Sequence, residues 1–154
     1  MIGAGMSGLL AGIRLAEAGV EFTIIEKNPG VGGTWFENRY PGCRVDVGNH
    51  FYSYSFAPDD AWTEFFAQQP ELQAYFHRCM VEHGIADRIR FDTEVTSARW
   101  DEASATWTVE TSGGTHACNR IDHNEIAHLA GYGFEINAGR NARRQPGPYA
   151  VGIA

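Results

Sequence analysis

The chain has 154 residues and carries 12 Lys or Arg against 19 Asp or Glu, a net charge of −7. That length suits one domain and is tight for two, and the acidic balance excludes a nucleic-acid binder built on a broad basic face. Apolar residues at 44% make a packed core feasible, while no apolar run approaches a membrane span and no secretory leader is visible, so a cytoplasmic protein with neither membrane nor nucleic-acid partners is expected.

In chain order, Met1-Ile2 reads as the end of a strand. Met6 to Ala18 suits a helix, with Leu9, Leu10, Ile13 and Leu15 as its apolar side and Gly19 as its stop. Glu21 to Glu26 is a short apolar strand of the buried parallel kind. Asn28 to Tyr54 is rich in glycine and turn residues and reads as loop. Asp60 is placed to cap a short helix over Ala61–Ala67, and Pro70 opens another whose stripe is Leu72, Tyr75, Phe76, Cys79 and Met80, ended by Gly84. Ile89–Phe91, Val95–Trp100 and Trp107–Glu110 read as strands, with a turn over Asp101–Thr106. From residue 112 the character changes, and 12 of the last 17 residues, from Ala138, are Ala, Gly, Arg or Pro. The division expected is therefore 1–111 as the folded part and 112–154 as a divergent, poorly ordered tail.

Glycine is over-represented, at 18 of 154 residues, against the ~7% typical of proteins. Gly3-Ala4-Gly5-Met6-Ser7-Gly8 is a GxGxxG between a strand end and a helix start, the context that motif requires. Gly3 permits the tight turn, Gly5 lets the backbone approach a pyrophosphate, and Gly8 lets the helix pack close to the sheet. The phosphates then meet the N–H groups and positive end of the helix. The second strand ends at Glu26, 18 residues after Gly8, where a carboxylate would accept hydrogen bonds from a ribose hydroxyl pair. An acidic group there disfavours a 2′-phosphate, so FAD or NAD fits this site better than NADP. The fold class expected is α/β: a Rossmann-like βαβ dinucleotide-binding domain, truncated at its first strand, with an added β-hairpin or meander.

Further motifs follow: Gly30-Val31-Gly32-Gly33-Thr34-Trp35, Asn38-Arg39-Tyr40-Pro41-Gly42-Cys43-Arg44-Val45-Asp46 and Tyr52-Ser53-Tyr54-Ser55-Phe56. GxGxxG, an acidic end to strand two, GGTW, NRYPGxxxD and YSYSF, in this order, resemble the FAD domain of Baeyer–Villiger monooxygenases, within the class B flavin-dependent monooxygenases. The resemblance covers roughly Met1 to Thr111. Gly33 would let backbone N–H groups approach a cofactor, Thr34 would meet a phosphate or ribitol oxygen, and Trp35 would offer a flat wall to the flavin ring. The resemblance further implies that Arg44 and Asp46 touch a nicotinamide cofactor, that Asp46 lies beside the flavin in a catalytic role, and that Tyr52 and Val95 touch FAD. The implied chemistry is NADPH-driven reduction of FAD, followed by O₂-dependent oxygenation of a small ketone or soft heteroatom substrate.

The chain also departs from that pattern. Only Met1 and Ile2 stand for the first strand, no second GxGxxG provides an NADPH domain, and Ala117 to Gly133 does not read as the returning apolar strand of the family. A fragment, inactive on its own, is expected; a non-catalytic remnant that binds nucleotide weakly is the alternative, and a plain NAD-dependent dehydrogenase leaves GGTW and NRYPG unexplained. His116, Cys118, His123 and His128 match no standard metal spacing, and no metal site is expected. Cys43, Cys79 and Cys118 lack a CxxC pair and read as reduced thiols. Core packing is expected for Trp62, Trp100 and Trp107.

Overall fold

A computed structural model of the chain describes residues 1–58 and 61–121. The first helix, α1 (Met6–Glu17), buries Leu9, Leu10 and Ile13 and ends as its pattern demands: Gly19 takes φ +68° and returns its N–H to the Ala16 carbonyl at 3.0 Å. The following strand, β1 (Ile24–Ile25), is shorter than the apolar run from Glu21 to Glu26. Its neighbours set that length. On one edge β1 pairs in parallel with β2 (Ile89–Arg90), Ile24 opposite Ile89 and Ile25 opposite Arg90. On the other, Ile25 exchanges bonds with Met1 and Gly3 at 2.9 and 2.8 Å. Glu26 leaves the ladder by a last bond, its N–H to the Arg90 carbonyl at 2.9 Å. The acidic side chain thus stands at the carboxyl end of the strand.

Two segments ahead of Pro70 differ from expectation. Between Asn28 and Tyr54, read as loop, stand the one-turn helix α2 (Thr34–Glu37) and a 3₁₀ turn over Asn49–Phe51. Ala61–Ala67, expected to be a short helix, is irregular. Its backbone is bonded across to the 43–49 segment: Val45 N–H reaches the Ala67 carbonyl at 3.1 Å and Asn49 N–H the Phe65 carbonyl at 3.1 Å. The buried Asn49 side chain accepts from Ala67 N–H and donates to the Glu64 carbonyl, both at 2.6 Å. Groups bonded in this way are unavailable to a helical ladder. Asp60, its expected cap, lies outside the described residues.

The long helix α3 (Gln69–Glu82) follows its pattern closely: Pro70 sits in the first turn, Leu72, Tyr75, Phe76, Cys79 and Met80 are buried, and Gly84 takes φ +63° just beyond the end. Its buried face joins those of α1 and the parallel strands in one core that includes Ile24, Val31, Ile85 and Ile89. Each fully buried Leu, Ile or Phe there contributes about 1.5–3 kcal/mol.

The remaining strands, β3 (Val95–Asp101), β4 (Thr106–Thr111) and β5 (Gly114–Cys118), form an antiparallel meander. Strand β5 falls in the segment expected to lack order. Ser112-Gly113 reverses the chain, and Thr115 and Ala117 stand opposite Glu110 and Thr108. No residue of β5 is buried, so it carries no alternating apolar signal and is held by its ladder alone. Trp100 and Trp107 are not core residues: they face each other across β3 and β4 with ring centroids 5.6 Å apart, Trp100 being 40% exposed. Trp62 does pack, half-buried, against the core. The tail from Ala138, with His123 and His128 before it, lies outside the described residues.

Candidate cofactor site

The glycine loop leaves the sheet at Gly3, whose φ of +90° requires glycine. Gly5 stands at the N-terminal end of α1 with no side chain to cap it, and the first bond of the helix runs from Leu9 N–H to the Gly5 carbonyl at 2.9 Å. The amides ahead of Leu9 therefore head the helix with no capping side chain over them. Tyr54, 4% exposed, pins this end by donating its hydroxyl to the Met6 carbonyl at 2.5 Å. Burial holds that phenol well above its ordinary value of 10.0, so it stays a donor.

Glu26 is buried beneath the loop. One carboxylate oxygen accepts from Ala4 N–H at 2.6 Å and the other from Asn28 N–H at 2.8 Å. A carboxylate has about four acceptor positions, so capacity remains on both oxygens. Lys27 and Asn28 extend the link to α2 by pairing with Glu37 at 2.8 and 3.1 Å. Lys27 holds the Glu37 carboxyl below its usual range.

The second glycine motif lies directly on the first. Gly32 donates its N–H to the Ala4 carbonyl at 3.0 Å. Gly33, at φ +54°, leaves no room for a side chain: a Cβ there would stand 3.0 Å from the Gly5 Cα. GxGxxG and GGTW, whose nearest residues Gly8 and Gly32 are 24 positions apart in sequence, thus form one backbone-lined surface with Glu26 at its base.

Trp35 follows on α2 and is buried; its Nε1 donates to the Tyr52 hydroxyl at 3.1 Å, with the rings edge to face at 5.7 Å. At 7% exposure the indole is a wall of the core more than an open platform. Burial raises the Tyr52 phenol above its ordinary value, and the nearby Asp46 carboxylate adds to this. Asp46 itself is exposed. Thr34 is exposed at the start of α2. Val95 opens β3, two residues after Thr93, whose N–H bonds the Glu26 carbonyl at 2.9 Å. Arg44 faces elsewhere in part: its guanidinium pairs with Glu64 at 2.9 Å on the surface. Gly8 is buried in α1, but α1 meets β1 at Gly12, where a Cβ would lie 2.9 Å from Ile24 Cδ1.

Motif reading passes over several residues that shape this site, Gly12, Asn49 and two glutamines of α3, and it includes Tyr54 in YSYSF without giving it a role. Gln69 donates to the Trp35 carbonyl, and Gln73 to the Val31 carbonyl at 2.6 Å. The four-residue spacing of these glutamines puts them on one helical face and was the available signal.

Residues 1–69 match the family described as NAD(P)-binding Rossmann-like domain. A Baeyer–Villiger monooxygenase of Pseudomonas aeruginosa is 43% identical over 117 residues, 75% of this chain and 22% of that protein. The solved structure of oxidized steroid monooxygenase bound to NADP is 43% identical, with a TM-score of 0.71 over 75% of this chain and 23% of that one. The structure of OTEMO in complex with FAD and NADP is 37% identical, with a TM-score of 0.72 over 76% of this chain and 23% of that one. The chain spans between a fifth and a quarter of the length of these proteins. In the order of its motifs and in its backbone fold, this chain corresponds to the N-terminal, Rossmann-like portion of the Baeyer–Villiger monooxygenases.

Proposed function

We infer that the chain holds FAD as the flavin-binding part of an NADPH- and O₂-dependent oxygenase of the Baeyer–Villiger type, acting on a small ketone or a soft heteroatom. One observation carries this reading: the backbone contact of Gly5 with Gly33 above the buried Glu26. It sets two stretches of backbone without side chains against each other at a helix N-terminus, as the close approach of a pyrophosphate requires. Gly3, Gly5 and Gly8 serve the pyrophosphate, and the remaining acceptor capacity of Glu26 serves the adenine ribose. Gly33, Thr34, Trp35, Tyr52 and Val95 serve the flavin half. When bound, the flavin supplies the redox chemistry and the contact with O₂. The chain's own residues bind it, orient it and place the Asp46 carboxylate beside it. Arg44 and Asp46 are assigned to the nicotinamide end of NADPH. The sequence carries one GxGxxG, so the reading assigns the adenosine end of NADPH to the part of the relatives that this chain does not span.

Titration with FAD and with FMN tests this directly. FAD should bind more tightly, because only FAD brings a ribose to Glu26 and a pyrophosphate to Gly5. Gly5→Val, which puts a side chain into the phosphate path, should lower FAD affinity by about tenfold or more. Equal affinity for both flavins, or undiminished binding by Gly5→Val, contradicts the assignment.

A further inference from the structure

Helix α3 reaches the two glycine motifs through Gln73. Its amide nitrogen donates to the Val31 carbonyl at 2.6 Å, while its Oε1 is buried with no hydrogen-bond partner. That oxygen abuts Gly32, where any Cβ would collide with it and stand 3.1 Å from Gln73 Cδ. Gly32, at φ +120°, in turn donates to the Ala4 carbonyl, and Gly33 presses on Gly5. One turn earlier on the same face, Gln69 donates to the Trp35 carbonyl. Contacts therefore run without a break from α3 through Val31 and Gly32 to Ala4 and Gly5.

A buried amide oxygen without a donor is unfavourable, and turning the amide to relieve it would forfeit the bond to Val31. An apolar side chain of the same length would avoid that cost. What the amide adds is a fixed place for the Val31–Gly33 backbone.

We propose that Gln73 is a positioning residue for the cofactor loops. It sets the height of the GGTW backbone over GxGxxG, and so fixes the spacing of the phosphate loop before a cofactor arrives. The consequence for flavin rests on the FAD reading above; the consequence for the loops does not.

The test is Gln73→Met, which keeps length and removes both polar atoms, followed by amide hydrogen exchange on the full chain without flavin. Exchange at the Gly32 and Ala4 amides should rise about tenfold by local opening, while Ile13 and Phe76 stay protected and the Tm stays within ~3 °C. FAD affinity should fall about 5–10-fold. Unchanged exchange at Gly32 and Ala4, a uniform rise across the helices, or unchanged FAD affinity in the variant overturns the proposal. If the loop amides respond while the unaltered chain takes up no FAD, the flavin reading fails and the positioning of the loops by Gln73 stands.

Discussion

Glu26 shows what a single residue does here before any ligand is considered. Its carboxylate is spent in part on the protein itself, satisfying the buried amide of Ala4 and the half-buried amide of Asn28. The sequence places an acidic residue at the strand end, and spacing from Gly8 makes that position legible. The bond back to Ala4 is not legible, because it depends on how far the loop folds over the strand. Glu26→Ala strands two amides, and stability should fall by about 1–3 kcal/mol in thermal or urea unfolding, with FAD affinity falling as well. Tyr54 gives a second residue-level expectation. Its phenol value is raised in the folded state, so its contribution is complete below the ordinary value of 10.0 and is lost as pH climbs from there through the folded value. Melting temperatures followed from neutral to strongly alkaline pH should decline above that point, and the decline should be shallower in Tyr54→Phe. At neutral pH the same variant should cost about 0.5–1.5 kcal/mol for the lost bond to Met6. An identical alkaline decline in both proteins would contradict this.

At the scale of elements, α1 and α3 were readable because each couples an apolar stripe to a stop signal: Gly19 after one, Pro70 and Gly84 around the other. Ala61–Ala67 departs from the helix its composition predicts because bonds to Asn49 and Val45, partners remote in sequence, override local propensity. Strand β5 escaped notice because, with neither face buried, nothing selects apolar residues along it. The closeness of α1 to β1 gives a prediction at this scale. Gly12→Val introduces branched atoms where even a Cβ stands 2.9 Å from Ile24 Cδ1 and 3.3 Å from Phe22. Overpacking of this kind should destabilise the fold by about 1–3 kcal/mol in denaturant unfolding. Unchanged or raised stability would show that α1 sits further from the strand than described.

For the whole molecule, the motifs that point to a flavin are also the segments that touch. GxGxxG, Glu26 and GGTW meet at one end of the parallel strands, and Trp35 joins them to Tyr52. Residue types and order made this site legible, whereas its depth and the supports from α3 required three dimensions. The chain covers only 22% of the P. aeruginosa relative, so the central claim concerns binding by this portion of the fold. The measurement that tests it most directly is the visible absorbance spectrum of the purified chain, equilibrated with FAD and then freed of unbound cofactor. Retained bands near ~370 and ~450 nm, those of a bound flavin, in a ratio near one flavin per chain, are the predicted result. A folded chain that emerges colourless at FAD concentrations sufficient to saturate a micromolar site contradicts the account.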